Sequence, residues 1–252
     1  MTYESAPMKI LARMRAGWSL LDPAEFALAP GRCPFCGATM FVRLRRDPIG
    51  VRCVRCGASA VHVSLGWALR RRMPNLAQCD ACELSARGPL VAYLRRCARS
   101  VATSEYFPEV DSGTMHAGVL CEDVQALSYA DERFDLVTHT EVLEHVPDDA
   151  RAFAELFRVL RRGGTMLFTV PLHGGAVTVE RARLRDGEIE HLQPPVYHND
   201  PLRAQSILAF RDYGTDILDR LRAAGFVDAG IDAVAGRVPW IAGHCIVVAR
   251  KA

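Results

Sequence analysis

Short apolar segments alternate with amphipathic segments over most of the chain after residue 78. Apolar runs bounded by turn residues predict buried strands, and apolar positions repeated at helical spacing predict helices. The predicted strands are 81–85, 100–105, 118–121, 134–139, 165–170, 227–234 and 243–250, and the predicted helices are 89–97, 148–160 and 215–224. Strands that alternate with helices form a mostly parallel sheet covered on both faces. The predicted fold class is therefore α/β, with a doubly wound sheet.

The same patterns divide the chain into four parts. Residues 1–30 have mixed periodicity and predict a helical lead-in, whereas residues 31–60 form a small unit of short strands. Residues 61–77 predict a connecting helix, and residues 78–252 form the large α/β domain. Within this domain, residues 173–214 follow the fifth predicted strand and are too long for a simple connection. They predict an excursion that leaves this strand at its carboxyl end.

Composition and charge limit the classes of partner and the cellular compartment that we expect for the protein. The formal net charge of +2 opposes a dedicated nucleic-acid binder, although nine arginines and one acid lie between residues 31 and 72. No apolar run approaches the roughly 18 residues of a membrane span, and the N-terminus lacks the layout of a signal peptide. We expect a cytoplasmic protein that does not bind membranes. In that compartment its nine cysteines would be metal ligands or core residues rather than disulfides.

Two C-x-x-C pairs in the small unit have the spacing of a structural zinc site. Sixteen residues separate the pairs, and a glycine follows each pair and eases the tight turn. Four thiolates would close a tetrahedral shell around zinc and leave no position for catalysis. The predicted ligands, which make this unit a zinc ribbon, are Cys33, Cys36, Cys53 and Cys56. A third pair, Cys79 and Cys82, lies in a predicted strand, where alternation directs the two side chains to opposite faces.

The turn after the first strand of the large domain is poor in glycine. A doubly wound sheet binds its ligand at the carboxyl ends of its strands, and its first turn commonly carries glycines so that the backbone can approach the ligand. Here the turn reads ELSARGP, from Glu83 to Pro89. Glu105 ends the second predicted strand, and from this position a carboxylate accepts hydrogen bonds from ribose hydroxyls. The pattern predicts a nucleotide-like ligand, held with fewer glycines than usual.

A longer pattern follows between residues 118 and 175. It contains DVQALSYADERFDLV, EVLEHV and RRGG, and it resembles the type 11 family of class I S-adenosylmethionine-dependent methyltransferases. The resemblance implies a Rossmann-like sheet and S-adenosylmethionine (SAM) as cofactor, with a degenerate first glycine motif. It places Glu105 at the ribose and Asp123 at the adenine. Arg87 stands where the family has a glycine, and it could instead pair with the cofactor carboxylate through a charge-assisted hydrogen bond. The full set implied for the cofactor is Glu83, Ser85, Arg87, Gly88, Glu105, Asp123, Val124 and His139.

The excursion is the predicted acceptor side, because in this family the region after the fifth strand often covers the acceptor pocket. His198 is the hypothesised proton acceptor, with His191 and His139 as alternatives, since a histidine titrates near neutral pH. Tyr197, Asp200 and Arg203 would orient the acceptor. A metal site formed by His191, His198 and Asp200 is a further alternative. Glu144 and His145 are interpreted as a helical turn that packs on the sheet.

Together these features predict a SAM-dependent methyltransferase that acts on a small molecule, such as a sugar, an amino acid or a natural-product intermediate. Two alternatives stay open. An RNA methyltransferase could use the arginine-rich ribbon to bind nucleic acid, and a decayed methyltransferase fold could serve only as an interaction module. The sequence does not assign an oligomeric state.

Overall fold

A computed structural model describes residues 21–199, 206–234, 238–241 and 244–252. Residues 1–20, which form most of the predicted lead-in, lie outside the described residues. The strands are β1 (Ala27–Pro30), β2 (Met40–Arg43), β3 (Val51–Cys53), β4 (Asp80–Glu83), β5 (Ser100–Glu105), β6 (Met115–His116), β7 (Val119–Cys121), β8 (Phe134–Thr140), β9 (Leu160–Thr169), β10 (Val179–Glu180), β11 (Ala182–Arg185), β12 (Glu188–His191), β13 (Tyr197–Asn199), β14 (Ser206–Leu208), β15 (Arg211–Asp212), β16 (Asp228–Val234) and β17 (His244–Arg250). The helices are α1 (Ala60–Arg72), α2 (Pro89–Cys97), α3 (Asp149–Val159) and α4 (Ile217–Ala223), with 3₁₀ turns at Leu76–Gln78 and Leu143–His145.

The central sheet confirms the α/β prediction. Among the described residues its strand order is β16-β17-β9-β8-β4-β5-β7-β6. The strands from β7 through β5, β4 and β8 to β9 are parallel, whereas β17 runs antiparallel to β9. The chain moves outward from β4 through β5 to β7 and then returns to β8 on the other side of β4. The strand order therefore reverses between β4 and β8, which is the point where sheets of this kind bind ligands.

Each face of the sheet is covered by helices. Leu136 faces a core that contains α1 and α2, and the next residue, Val137, faces a core that contains α3 and α4. This alternation is the two-residue period of a strand that is buried on both sides. Cys79 and Cys82 belong to opposite cores, as predicted from the same period.

The small N-terminal unit packs directly on the large domain. Its strands pair antiparallel in the order β1-β2-β3. Phe35 and Phe41 are buried in the core that α1 and α2 share with the sheet. Gly66 of α1 permits this contact, because a Cβ at that position would lie 2.7 Å from the Phe35 ring. Arg96 of α2 also donates a hydrogen bond to the Phe35 carbonyl at 2.6 Å. The ribbon and the domain therefore share one hydrophobic core.

Among the boundaries that differ from the sequence prediction, two lie in the N-terminal third of the chain. Residues 27–30 fall in the predicted helical lead-in but form β1, because they pair with residues 40–43 and their side chains alternate in exposure. The connecting helix, predicted over residues 61–77, ends at Arg72. Pro74 explains this early end, because the residue before a proline is disfavoured in helical conformation.

The excursion after β9 is built from antiparallel strand pairs, β10 with β15, β11 with β12 and β13 with β14. Arg211 on β15 attaches it to the turn that follows β8. Its guanidinium is buried and donates hydrogen bonds to the carbonyls of Val146 at 2.6 Å and Pro147 at 2.8 Å. The same side chain pairs with Glu180 at 3.1 Å. A buried, hydrogen-bonded guanidinium holds the excursion beside the carboxyl end of β8.

Candidate active site and cysteine centre

The four ribbon cysteines converge on one point. Their Sγ atoms lie within 4.8 Å of one another. The Sγ atoms of Cys33 and Cys56 are 3.6 Å apart, as are those of Cys36 and Cys53. Four sulfurs that each lie about 2.3 Å from a zinc ion are separated by about 3.8 Å in a tetrahedron. The spacing and the donor chemistry therefore fit a structural zinc ion.

A tight turn presents each cysteine pair. Gly37 and Gly57 have φ angles of 72° and 74°, in the left-handed region that favours glycine. Their N–H groups donate to the carbonyls of Cys33 at 3.0 Å and Cys53 at 2.9 Å. The glycines that follow the two pairs in the sequence thus have a direct geometric reason.

Glu105 holds the glycine-poor turn at the end of β4. Its Oε1 atom accepts hydrogen bonds from the N–H of Ala86 at 2.8 Å and from the hydroxyl of Ser85 at 3.3 Å. Gly88 ends the turn at φ 118° and ψ 176°, a conformation essentially restricted to glycine. Arg87 is exposed beside it. A carboxylate on the neighbouring strand therefore stabilises a turn in which Gly88 is sterically required.

Glu83 lies beneath this turn and faces the interior. Its side chain is buried, and its carboxyl group accepts a hydrogen bond from the hydroxyl of Thr138 on β8. Burial raises the pKa of Glu83 to about 8, and the nearby charge of Glu105 acts in the same direction. Burial therefore favours the protonated form of Glu83, which links β4 to β8 across the switch point.

Asp123 and Val124 follow β7, the third strand of the parallel series. The Oδ1 atom of Asp123 accepts a hydrogen bond from the N–H of Gln125 at 2.8 Å, which is an Asx turn. Val124 is buried in the core with α3 and α4. The buried neighbour Glu122 accepts a hydrogen bond from the Ser112 hydroxyl at 2.7 Å. Glu122 thus fixes the loop, and the half-buried Asp123 lies at the carboxyl edge of the sheet.

Ionisable side chains cluster just after β8. Glu141 has a φ of 52°, which is uncommon for a residue with a Cβ and marks a constrained position. Glu144 is 1% exposed, and neither carboxylate oxygen has a hydrogen-bond partner among the described residues. The Glu144 Oε1 atom lies 3.7 Å from His145 Nε2 and 3.8 Å from His198 Nδ1. Packing accounts for the burial of this turn but not for an unpartnered carboxylate.

The three histidines considered as proton acceptors occupy different places. His139 is completely buried and stacks on Phe168 with ring centroids 4.6 Å apart, and burial lowers its pKa to about 3. His191 is exposed on β12. His198 on β13 approaches His145, with 3.3 Å between Nδ1 and Nε2. The structure therefore brings His198 into the cluster after β8, while His139 lies in the core and His191 on another hairpin.

The predicted acceptor-orienting residues are only partly described. Tyr197 begins β13 and is exposed, next to His198. Asp200 and Arg203 lie outside the described residues. The predicted metal site of His191, His198 and Asp200 therefore also lies partly outside the described residues.

A cavity of about 360 Å³ opens at the carboxyl ends of β8 and β9. Its volume is in the range of small-molecule sites. The buried Nε2 atom of His244 has no hydrogen-bond partner among the described residues, and burial lowers the pKa of this imidazole. The cavity is lined by residues 47–49 of the ribbon, Val61 of α1, Glu141, residues 170–172, His244 and Cys245.

Comparisons with known proteins agree with this geometry. Residues 68–168 match a protein-family model described as a methyltransferase domain. The crystal structure of an S-adenosylmethionine-dependent methyltransferase from Mesorhizobium loti aligns with a TM-score of 0.50 and 17% sequence identity, over 75% of this chain and 98% of that chain. The chain has the fold of the class I methyltransferases, and residues 68–168 match the methyltransferase-domain family. This agrees with the family predicted from the motifs.

A short part of the chain also matches curated enzymes in sequence. Over 49 residues the chain is 37% identical to the ubiquinone biosynthesis O-methyltransferase of Coxiella burnetii. The match covers 19% of this chain and 21% of that protein, so the chain spans about a fifth of the length of the curated relatives it matches. Within the described part of the chain, no helix has both the length and the apolar character needed to cross a membrane.

Two cavity residues of the large domain, Glu141 and His244, are absent from the sequence prediction. Glu141 had a usable signal, because it is the first acid of EVLEHV and directly follows a parallel strand. His244 had none. It reaches the ligand edge because β17 runs antiparallel to β9, with Val247 opposite Phe168, so that the start of β17 lies beside the end of β9.

Proposed function

We propose that the chain transfers a methyl group from SAM to a small-molecule acceptor. The observation that carries this proposal is the pair of features that adjoin the carboxyl edge of the sheet. The first is the turn after β4, held by Glu105. The second is the cavity beside Glu141 and His244. One suits a nucleoside cofactor, and the other has the size of a small acceptor.

The residues at the first feature fit the cofactor. A carboxylate offers about four acceptor sites, so Glu105 can hold the turn through Oε1 and bind ribose hydroxyls through Oε2. The space above Gly88 is open, because a Cβ built there meets no atom within 4 Å. Arg87 would pair with the cofactor carboxylate, and Asp123 would lie at the adenine. When bound, SAM supplies an electrophilic methyl group, and the protein needs mainly to position the acceptor.

His244 is the proposed proton acceptor on the acceptor side. His244 lines the cavity, its buried Nε2 atom has no hydrogen-bond partner among the described residues, and its lowered pKa keeps the imidazole neutral at physiological pH. We prefer it to His198, whose Nδ1 atom lies 3.3 Å from His145. Glu141 would hydrogen-bond to the acceptor from the same cavity. The O-methyltransferase name of the Coxiella relative supports an oxygen acceptor.

Ion pairs in and near the ribbon favour a small acceptor over RNA. Arg46 pairs with Glu25 at 2.7 Å, and Arg43 reaches the same carboxylate at 3.4 Å. Arg72 makes a two-pronged contact with Asp232 at 2.7 and 2.9 Å. These arginines are neutralised by acids of the same chain, which weakens the basic surface that binding to phosphates requires.

The ribbon is proposed to hold one zinc ion with a structural role. Four thiolates complete the coordination shell, so the metal has no open position for chemistry. The proposed setting is the cytoplasm, where thiols remain reduced. In the structure none of the four ribbon cysteines forms a disulfide bond.

Substitution of Glu105 by alanine tests the cofactor site. We expect the affinity for S-adenosylhomocysteine to fall by about 1.5–3 kcal/mol, because a hydrogen bond to a charged group is lost. That loss is about 10-fold to 150-fold in the dissociation constant. Isothermal titration calorimetry of the folded variant measures it directly.

Two further variants serve as controls for the Glu105→Ala measurement. Glu105→Gln retains an oxygen acceptor for the Ala86 N–H and so separates turn stability from loss of charge. Glu109→Ala removes an exposed acid nearby and should leave affinity unchanged. If Glu105→Ala binds S-adenosylhomocysteine as tightly as the unmodified chain does, the ribose is bound elsewhere and the proposed site is wrong.

A further inference from the structure

The cluster after β8 has a composition that methyl transfer alone does not require. It contains a carboxylate and two imidazoles whose nearest ligand atoms lie within 4.8 Å of one another. Its members are Glu144, His145 and His198. The distances between these atoms are 3.3, 3.7 and 3.8 Å. Three potential ligands of this kind at such spacing form the outline of a metal site.

The unpartnered carboxylate of Glu144 is the main observation. Its side chain is 1% exposed, and both of its oxygens lack a hydrogen-bond partner among the described residues. A buried carboxylate without a partner is costly, because its desolvation is not compensated. The repulsion from Glu141 adds to this cost. A bound cation would compensate both effects.

The surrounding backbone orients the two imidazoles. His145 Nδ1 lies 2.8 Å from the carbonyl oxygen of Leu208, so this nitrogen donates and carries the ring proton. Its Nε2 atom is then the nitrogen with a lone pair, and it faces Glu144 and His198. A hydrogen bond of this kind from the far side of the ring is typical of metal-binding histidines.

The backbone also fixes the other two members. The Phe210 N–H donates to the Glu144 carbonyl at 2.7 Å. His198 lies on β13 opposite Ile207 of β14. The excursion thus closes over the turn after β8 and delivers a third ligand to it.

We propose that Glu144, His145 and His198 bind a divalent transition-metal ion. Imidazole and carboxylate ligands suit zinc, iron, cobalt or nickel. The four thiolates of the ribbon are softer ligands and favour softer metal ions. Ligands at about 2.0–2.2 Å from a tetrahedral ion would be about 3.4 Å apart, close to the spacing in the cluster. Three protein ligands leave open positions on the ion. The site does not depend on the proposed methyl transfer, and its test uses no SAM.

Cobalt(II) titration of the purified chain, loaded with a single equivalent of zinc so that only the ribbon is filled, tests the site through visible absorption. We expect one equivalent of Co²⁺ to bind with nitrogen and oxygen ligands, without the intense sulfur-to-cobalt bands that exchange into the ribbon would produce. Glu144→Gln and His198→Ala should each weaken binding by at least about 10-fold to 100-fold. Circular dichroism verifies that each variant is folded. Should Glu144→Gln fail to fold, the less buried His198 still provides the test.

His191→Ala is the matched control, because this histidine lies on another hairpin of the same excursion. It should bind Co²⁺ like the unmodified chain. The proposal is overturned if the unmodified chain takes up no Co²⁺ outside the ribbon. It is also overturned if a folded His198→Ala variant binds Co²⁺ undiminished, or if His191→Ala loses binding while Glu144→Gln keeps it.

Discussion

Replacement of Cys33 and Cys53 by serine is expected to release the ribbon zinc and to lower the free energy of unfolding by more than about 4 kcal/mol. A unit of this size cannot form an adequate core without a metal or another staple. The loss would not stay local, because Phe35, Phe41 and Val51 are buried in the core that the ribbon shares with α1 and the sheet. Urea denaturation gives the change in stability, and metal analysis gives the zinc content.

Cys97→Ser is the control for the ribbon variant. Cys97 is partly exposed at the end of α2, outside the cysteine centre, so its replacement should change neither zinc content nor stability appreciably. A double variant that retains its zinc and unfolds within about 1 kcal/mol of the unmodified chain would show that the metal does not hold the ribbon together.

His244→Ala is expected to lower methyl-transfer turnover by about 10²–10⁴-fold, the usual contribution of a general base. The pKa of His244 is lowered by burial, so the unmodified enzyme should keep its base in the active, neutral form below the ordinary histidine pKa of about 6.5. Activity should therefore decline only at a more acidic pH. The pH profile of turnover, measured with an acceptor found by screening for S-adenosylhomocysteine release, checks both points.

A measurement of cofactor affinity separates the role of His244 as a general base from a structural role. S-adenosylhomocysteine should bind His244→Ala as it binds the unmodified chain, because His244 lies in the acceptor cavity. His116→Ala, which changes an exposed histidine on the edge strand β6, should keep full turnover. Unchanged turnover of His244→Ala near neutral pH would mean that positioning alone carries the reaction.

The parallel sheet was predictable because its strands are short apolar runs that alternate with amphipathic helices. The helix Pro89–Cys97 and the strand Ser100–Glu105 have the predicted bounds. Elements with weaker local signals were missed. The short strand β6 forms a hairpin with β7 through Ala117 and Gly118, and β1 becomes a strand only by pairing with β2.

The candidate site was predictable where chemistry follows local sequence. The cysteine pairs converge because each pair and its glycine form a self-contained turn, and Glu105 is placed by the end of its own strand. Tertiary packing decided the rest. His198 reaches His145 through the fold of the excursion, and His244 reaches the cavity through the antiparallel strand β17. Glu83 looked like a ligand contact, but burial beside Thr138 turns it towards the interior.

The arrangement also explains the glycine-poor first motif. In this chain the turn does not rely on repeated glycines, because Glu105 accepts hydrogen bonds from Ser85 and Ala86. Gly88 alone takes the conformation that requires glycine in this turn of the described structure. The acid that should bind the ribose thus also shapes the turn beneath the methionine end.

A crystal structure of the chain with S-adenosylhomocysteine, the product left after methyl transfer, tests the central claim most directly. The account predicts that the nucleoside lies over the carboxyl ends of β4 and β5, with its ribose hydroxyls on Glu105 and its adenine near Asp123. The amino-acid end should lie above the turn from Ser85 to Gly88, directed towards the cavity beside Glu141. A crevice that stays empty at saturating ligand concentration, or ligand bound away from these strand ends, would contradict the account.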